Sequence, residues 1–309
     1  MIEFSDVLQA ANLLKDRVIR TPLVYSPTFS RLANAEVYLK LESLQMGGSF
    51  KVRGATYKLQ SNLEKIHSGV IAASVGNHAQ GVALAACAAG VPATIIMPVW
   101  ASISKQEATR AYGAEVRLMG KSLVESIDIG RRMAQETNRI FIHPYDDEEV
   151  IAGQGTVGLE ILEDLPDADL IIVPVGGGGL IAGIALAAKA IRPEARVVGV
   201  QAASCPSARK ALELGRPAEV QAEERGSIAD AIMVTRVGEA PFPLLQKLVD
   251  DIVLVDEDQI ASAVLKLLER KRILAEGAAA APLAALLGGS LQVAEGSRVV
   301  LVVSGGNVD

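Results

Sequence analysis

A lysine follows a glycine-serine turn at the point where a helix begins. The stretch "GGSFKVRGA" covers positions 47–55, and the apolar residues after it recur at helical spacing, with Ser49 as the predicted N-cap. Lys51 then lies in the first helical turn, where the helix dipole disfavours positive charge. Two interpretations remain open. One is a solvated lysine that tolerates a small penalty; the other is an amine kept neutral or covalently occupied, which can act as nucleophile and base.

Four consecutive glycines form a second feature with chemical meaning. They join the strand "LIIVPV" to a helix that begins near Leu180. Glycines cost backbone entropy, but their N–H groups can close on an anion such as phosphate at a helix N-terminus. The alternative is a close packing turn between helix and sheet. A dinucleotide fingerprint is incomplete, because the next strand ends at Gln201 without a carboxylate, and no Walker Gly-Lys-Ser/Thr follows. The four are Gly176, Gly177, Gly178 and Gly179.

Two more turns occupy strand-to-helix positions. "SVGNHAQG" places Asn77, which can both donate and accept hydrogen bonds, at another helix N-terminus suited to an anion. His78 in the same turn is either a general base or, as is more frequent in a first helical turn, a structural residue. "SGGN" places Ser304 at the carboxyl end of the last predicted strand. All of these residues lie where ligands bind in open α/β sheets.

The elements that must position these residues alternate along the chain. Short β-branched runs are separated by helical segments such as 122–136 and 256–273, a pattern that predicts an α/β fold with open twisted, mostly parallel sheets. No repeat or low-complexity tract interrupts it. The predicted strands are 36–42, 69–74, 93–98, 114–120, 139–144, 170–175, 196–201, 251–256 and 298–304.

Length and composition restrict the class of protein. The 309 residues suggest about two domains, and the net charge of −6 without a basic block argues against nucleic-acid or anionic-membrane partners. Cys87 and Cys205 are isolated, so no disulfide framework or cysteine metal cluster is predicted. The N-terminus does not resemble a signal peptide, and the apolar stretch 277–289 is too short to span a membrane. We therefore expect a soluble, cytoplasmic protein.

Together, "GGSFKVRGA", "SVGNHAQG", "PVGGGGLIAG" and "SGGN" resemble, in order and spacing, the motifs of the fold-type II pyridoxal-phosphate enzymes. Within them the chain is most similar to the threonine/serine dehydratase and serine racemase group, and the resemblance covers nearly the whole length. It implies a tryptophan synthase β-like architecture with pyridoxal 5'-phosphate between two domains. The smaller domain is expected over 47–140, and the larger over 1–46 and 141–309.

The resemblance also implies a role for each motif residue. Lys51 is the Schiff-base lysine and Phe50 packs beside the cofactor ring, while Asn77 bonds the ring hydroxyl. Glu276 either lines the cofactor site or is an ordinary acid at a helix N-terminus. The phosphate is held by Gly176, Gly177, Gly178, Gly179 and the N–H of Leu180, Ser304 faces the pyridine nitrogen, and the substrate carboxylate is received by Ser74, Val75, Gly76, Asn77 and His78.

The implied activity is β-elimination from L-threonine or L-serine, giving a 2-oxo acid and ammonia. Alternatives are a serine racemase, a dehydratase of another 3-hydroxy amino acid such as hydroxyaspartate or phenylserine, and, from another class, a non-catalytic ligand-binding protein. Racemisation needs a proton donor on each face of Cα. Val75 stands where serine racemases have a serine, so we expect little racemisation.

The chain departs from the family pattern at several places. Gly47 replaces a threonine, and Ala231 replaces the glycine of Ala-Asp-Gly. Gln201 and Ser207 stand where metal-binding relatives carry carboxylates, so we expect no metal site and no need for a divalent cation. The sequence stops at Asp309, and we expect no C-terminal regulatory domain or feedback control. A homo-oligomer, dimer or tetramer, is expected.

Overall fold

The computed structural model describes residues 2–66, 68–223 and 226–308. Within these residues the chain forms ten strands: β1 Leu23–Tyr25, β2 Glu36–Leu41, β3 Val70–Ala73, β4 Ala93–Met97, β5 Glu115–Leu118, β6 Ile140–Phe141, β7 Leu170–Pro174, β8 Arg196–Ala202, β9 Asp251–Val255 and β10 Arg298–Val303. The twelve α-helices of the same residues are α1 Phe4–Leu14, α2 Pro27–Ala33, α3 Lys51–Ser61, α4 Asn77–Ala89, α5 Ile103–Ala111, α6 Leu123–Glu136, α7 Glu148–Asp164, α8 Gly179–Ile191, α9 Ser207–Leu214, α10 Phe242–Leu248, α11 Glu257–Lys271 and α12 Gly277–Leu287.

The strands form two open sheets. The six-stranded sheet has the order β1-β2-β10-β7-β8-β9, and the four-stranded sheet has the order β5-β4-β3-β6. Neighbouring strands are parallel except for β1 and β2. All five residues of β4 and of β7 are buried, as expected for parallel strands covered by helices on both faces. The predicted α/β class with mostly parallel sheets is confirmed.

The nine predicted strands are confirmed, with small differences at their ends. The largest difference is at β6, predicted over 139–144 but extended over Ile140–Phe141 alone. Strand β1, with three residues at the edge of the six-stranded sheet, was not predicted. The division into domains at 46/47 and 140/141 stays a prediction.

Helix α3 is packed closely between two other helices. A Cβ on Gly153 of α7 would lie 2.6 Å from Cα of Gly54 of α3, so the two helices cross where neither has a side chain. On the other side, a Cβ on Gly81 of α4 would lie 3.0 Å from the backbone N of Val52. Such distances leave no room for even a methyl group. The helix that begins with Lys51 is therefore held in place on both sides.

The topology brings the chemically interesting turns to one place. Strand β10 lies between β2 and β7, so the carboxyl ends of β7 and β10 place Gly176 and Ser304 at the same edge of the sheet. Parallel strands present their following turns together at this edge. The turn that begins at Ser74 follows β3 of the other sheet. The two sheets contribute their turns to one shared cavity.

The segment after β10 pairs with the loop before α3. Ser49 and Gly305 form an isolated antiparallel bridge, and the N–H of Gly306 donates to the carbonyl of Gly48 at 2.9 Å. The N–H of Phe50 donates to the carbonyl of Ser304 at 3.2 Å. These bonds attach the start of α3 to the end of β10. None of the described helices is both long enough and apolar enough to cross a membrane.

Candidate active site

A cavity of about 780 Å³ lies between the turns of the two sheets. Its size suits a small-molecule or cofactor site, which usually combines apolar walls with a few placed polar groups. The predicted site residues that line it are Phe50, Lys51, Ser74, Val75, Gly76, Asn77, His78, Gly176, Gly177, Gly178, Gly179, Leu180, Glu276 and Ser304. The structure thus brings together all the residues that the sequence motifs indicated.

Lys51 is the first residue of α3, as expected, but the predicted N-cap was wrong. Phe50 is the N-cap residue, and Ser49 is extended because it pairs with Gly305. The Lys51 amine donates a hydrogen bond to the carbonyl of Pro144 at 2.7 Å and lies 5.1 Å from the centre of the Phe50 ring. Loss of water contact lowers the pKa of Lys51 to about 8, an effect that the negative charge of Glu276 only partly offsets. A sizeable fraction of the amine is therefore neutral near physiological pH.

Glu276 belongs to the cavity rather than to a helix cap. It precedes α12 as the N-cap residue, but its side chain makes no capping hydrogen bond. Both carboxylate oxygens accept from Nδ2 of Asn77, at 2.8 and 3.0 Å. Burial raises the pKa of Glu276 to about 7, against the lowering effect of the Asn77 hydrogen bond. Of the two interpretations of Glu276, the structure favours a residue that lines the site.

His78 has the surroundings of a structural residue. It is buried, and its Nε2 lies 2.9 Å from the carbonyl oxygen of Ile142, so this nitrogen is the one that carries the proton. Burial and the nearby Lys51 charge lower the pKa of His78 to about 3. Among the described residues, Nδ1 has no hydrogen-bond partner. A neutral imidazole whose N–H is fixed to a backbone carbonyl is poorly suited to accept and release protons at Nε2.

The four glycines Gly176–Gly179, here called the tetraglycine loop, pack against Tyr145 and also face the cavity. Gly178 has φ of +98°, a conformation that favours glycine, and is the N-cap residue of α8. A Cβ on Gly177 would lie 2.2 Å from Cγ of Tyr145, so the tyrosine ring occupies the space of a side chain. Packing therefore explains part of the glycine requirement. The same loop lines the cavity at the N-terminus of a 13-residue helix, where an anion is stabilised.

The departures from the family pattern have visible local effects. Gly47 has φ of +69°, a backbone conformation in which a threonine would be strained. Ala231 lines the cavity. Gln201 is buried; its Oε1 accepts from the N–H groups of Ala208 and Arg209, and its Nε2 donates to Ser207 Oγ at 3.3 Å. These two neutral side chains thus support the start of α9.

Sequence reasoning missed two residues at the site. Tyr145 packs against the tetraglycine loop, and Asn307 bonds Asn77 through its side-chain amide. Asn307 is the last residue of the motif "SGGN", but both contacts depend on chain segments far apart in the sequence. Among the residues that the model describes, no group of three or more His, Cys, Asp or Glu side chains could hold a metal ion.

Comparison with known proteins gives a consistent result. The family model described as "Pyridoxal-phosphate dependent enzyme" matches residues 14–305. The chain is 48% identical over 310 residues to an L-threonine ammonia-lyase from Thermotoga maritima, covering 100% of this chain and 76% of the relative. The structure of maize serine racemase has a TM-score of 0.94 at 34% identity and covers 100% and 94% of the two chains. The processed form of threonine deaminase isoform 2 from Solanum lycopersicum has a TM-score of 0.91 at 35% identity, with 99% of this chain and 84% of that chain covered.

Proposed function

The chain belongs to the pyridoxal-phosphate-dependent enzymes, and we propose that it is an ammonia-lyase that converts L-threonine or L-serine to a 2-oxo acid and ammonia. The observation that carries the proposal is the position of Lys51. Its amine has a lowered pKa and lies in the same cavity as Asn77, Ser304 and the tetraglycine loop. This arrangement offers a neutral amine beside one helix N-terminus for a phosphate and a second for a carboxylate.

The residues present fit pyridoxal phosphate. The loop Gly176–Gly179 lines the cavity at the start of α8, where backbone N–H groups of a helix N-terminus would hold a phosphate. Lys51 would supply the amine that bonds the cofactor's aldehyde, and Asn77 would hydrogen-bond its ring hydroxyl. Ser304, just after β10, would face the pyridine nitrogen. When bound, the cofactor draws electron density from Cα of an attached amino acid.

Lys51 also moves the proton. With a substrate bound, the Lys51 amine would take the proton from the substrate Cα, and the ammonium so formed would return it to the β-hydroxyl, which leaves as water. A pKa of about 8 leaves part of the amine able to accept a proton near neutral pH. Ser304 contributes by being neutral: a hydroxyl does not hold the pyridine nitrogen protonated as a carboxylate would. Electron withdrawal from Cα is then moderate, which suits prompt elimination.

The turn Ser74–His78 is the proposed site of the substrate carboxylate. It precedes and begins α4, whose N-terminal N–H groups favour an anion. The N–H of Gly76 donates to Ser74 Oγ at 3.2 Å, which holds the turn closed. Val75 lines the cavity and carries no exchangeable proton. Elimination is therefore favoured over racemisation, in which the second face of Cα needs its own acid.

We also place the enzyme in the cytoplasm as a homo-oligomer. Light scattering coupled to size-exclusion chromatography measures the assembly.

A panel of substrates tests the proposed function. The purified enzyme is loaded with pyridoxal phosphate and offered L-threonine, L-serine, hydroxyaspartate and phenylserine, and the 2-oxo acid formed is measured. We expect the highest kcat/KM for threonine or serine. Chiral chromatography of the serine reaction is run in parallel, and D-serine accumulating as fast as pyruvate would identify a racemase. A cofactor-loaded protein that forms no 2-oxo acid from any of the four contradicts the proposal.

A further inference from the structure

The side-chain amide of Asn307 connects two parts of the site that are far apart in the sequence. Its Nδ2 donates to the carbonyl of Gly47 at 2.9 Å and to Oδ1 of Asn77 at 2.8 Å. Gly47 lies in the loop before Lys51, and Asn77 begins α4. A residue that follows the last described strand therefore contacts both the loop before the proposed Schiff-base lysine and the residue proposed to bond the ring hydroxyl.

These contacts determine which way both amides point. A backbone carbonyl only accepts hydrogen bonds, so the group of Asn307 that faces Gly47 must be the NH2 group. The same NH2 group faces Asn77, so the Asn77 atom there must be its oxygen. The assignment of the two ends of the amide thus follows from hydrogen-bond chemistry. Nδ2 of Asn77 is left facing the cavity, where it donates to Glu276.

The backbone around Asn307 keeps its side chain in this position. Gly48 has φ of +73°, and a Cβ there would lie 2.4 Å from Oδ1 of Asn307. The amide therefore lies directly over a residue without a side chain. The hydrogen bond from Gly306 to Gly48 and the bridge between Ser49 and Gly305 fix the two segments next to each other.

We propose that Asn307 is a positioning residue that fixes the amide of Asn77 so that a donor, rather than an acceptor, faces the ring hydroxyl of the cofactor. The proposal rests on the proposed role of Asn77 as the partner of that hydroxyl. An amide NH2 has two hydrogens, so Nδ2 can serve Glu276 and a second acceptor at once. A donor stabilises the deprotonated oxygen and lowers its pKa. Asn307 thereby acts on the protonation of the cofactor's ring oxygen through Asn77.

The variant Asn307→Asp should reverse the orientation of the Asn77 amide. A carboxylate at position 307 repels the carbonyl of Gly47 and Oδ1 of Asn77. Turning the Asn77 amide so that its NH2 group faces the aspartate relieves this repulsion, at the cost of the hydrogen bonds from Nδ2 to Glu276. An oxygen then faces the ring hydroxyl and favours its protonated form. The measurement is the absorption spectrum of the cofactor-loaded protein without substrate, as the ratio of the band of the deprotonated ring to that of the protonated ring.

We expect the ratio to fall about tenfold in Asn307→Asp, because a hydrogen bond to a charged oxygen is lost. In Asn307→Ala, which releases the amide without reversing it, the fall should be smaller. The matched control is Asn12→Asp, the same chemical change at an exposed position of α1. Circular dichroism confirms that each variant is folded; if Asn307→Asp is not, a ratio in Asn307→Ala below that of wild type decides the question.

Wild-type spectra in both Asn307 variants would overturn the inference while leaving the proposed function intact. Because no substrate is present, a wild-type protein that binds cofactor but releases no ammonia still tests Asn307 alone. A wild-type protein that takes up no cofactor overturns the proposed function and this inference together.

Discussion

Lys51 and Arg53 are close neighbours on helix α3, yet their side chains meet opposite surroundings. Arg53 is fully buried, and its guanidinium donates to both carboxylate oxygens of Glu42 at 2.8 Å and to the carboxylate of Glu160 at 2.7 and 2.9 Å. Burial opposes its charge, but the two carboxylates raise the pKa of Arg53 above its ordinary value. Lys51 donates to a neutral carbonyl, and its pKa is lowered.

The network around Arg53 extends across the fold. Lys40 donates to Glu160 at 2.6 Å and to the carbonyl of Thr21 at 2.7 Å, and the hydroxyl of Thr21 donates to Glu42. Two cations thus face two carboxylates in the interior. The comparison shows that burial alone does not determine reactivity. A buried charge with matched partners stabilises the arrangement of α3, whereas a buried amine without a matched carboxylate is left available for chemistry.

The replacement of Lys51 should affect catalytic activity strongly and the unfolding free energy little. In Lys51→Ala we expect 2-oxo acid formation to fall at least about a thousandfold, because both the attachment point and the base are lost. The unfolding free energy should not fall, since the buried amine gains little from its surroundings. Denaturant unfolding of the cofactor-free proteins measures the second quantity.

Borohydride reduction provides the corresponding chemical test. The wild-type protein should be yellow, and reduction should fix the cofactor to the peptide that contains Lys51. Mapping of the adduct to a different lysine would contradict the assignment, as would a protein that stays colourless after reconstitution.

Replacing Arg53 should lower the unfolding free energy, which we do not expect for the replacement of Lys51. Arg53→Met leaves Glu42 and Glu160 buried with their guanidinium partner removed, and we expect a loss of about 3–5 kcal/mol in the free energy of unfolding. The matched control is Arg20→Met, whose guanidinium is 50% exposed and pairs with Glu163 and Asp164 on the surface. That loss should stay below about 1 kcal/mol. Equal losses in the two variants would remove the distinction between the buried and the exposed cluster.

The buried carboxyl of Glu276 should make the stability of the protein depend on pH. Its pKa is raised from 4.5 to about 7, so between these values the folded protein binds more protons than the unfolded chain. The unfolding free energy of the cofactor-free protein should therefore fall as pH rises through this window. Glu276→Gln removes this loss, and its advantage over wild type should grow to at most about 3 kcal/mol by pH 7.

The control for that experiment is Glu64→Gln, which also removes one negative charge but at an exposed position. Chemical denaturation at a series of pH values from 4 to 8 provides the curves. An advantage of Glu276→Gln that is the same at every pH, or that is matched by Glu64→Gln, would show that burial of the carboxyl is not the cause.

Substitutions of Val75 test whether the site has a proton donor on only one face of the substrate Cα. Lys51 serves one face, and Val75→Ser supplies a hydroxyl for the other, so we expect D-serine formation to rise about tenfold while pyruvate formation changes less. Chiral chromatography with both products quantified makes the measurement. Val75→Ala is the control for the change in size, and an equal rise in that variant would show that space rather than proton donation is responsible.

Of these changes, the addition or removal of divalent cations should have the smallest effect on kcat. Gln201 and Ser207 are neutral, and both are used in hydrogen bonds around the start of α9. We expect the same kcat after chelator treatment and after addition of Mg²⁺ or Ca²⁺, which prefer carboxylate oxygens. A rise in activity on adding Mg²⁺ to the chelator-treated enzyme would contradict the expectation.

The type and position of most strands could be predicted from the sequence, whereas the segments with which they pair could not. Strand β7 is a continuous apolar run bounded by turn residues, and β4 departs from such a run only at Thr94, so their type could be read locally. Strand β1 has three residues and depends on pairing with β2, so its local signal was weak. The end of the extended segment at Ser49 could not be read either, because its partner Gly305 lies at the far end of the chain.

The site could be predicted where a motif carries its own geometry. Lys51, Asn77 and the tetraglycine loop are recognisable because a turn at a helix N-terminus is a local structure. The ion network of Arg53 and the amide contact of Asn307 depend on residues brought together only by the complete fold, such as Glu160 and Gly47. Nothing in the spacing of these residues indicates that they touch. Arg53 holds the helix that begins with Lys51, and Asn307 contacts Asn77, so both support groups that the motifs identify.

The position of β10 between β2 and β7 has a consequence for how the chain is made. Arg298 lies opposite Glu36, so the centre of the larger sheet is completed by the last described strand in chain order. During synthesis, β7, β8 and β9 can pair as they emerge, whereas β2 must wait for β10 before it joins them. Closing so long a loop is slow and leaves strand edges open to other chains. Ser304 therefore joins the four glycines at the edge of the sheet only after β10 has been translated, and the cavity that both line is completed late in synthesis.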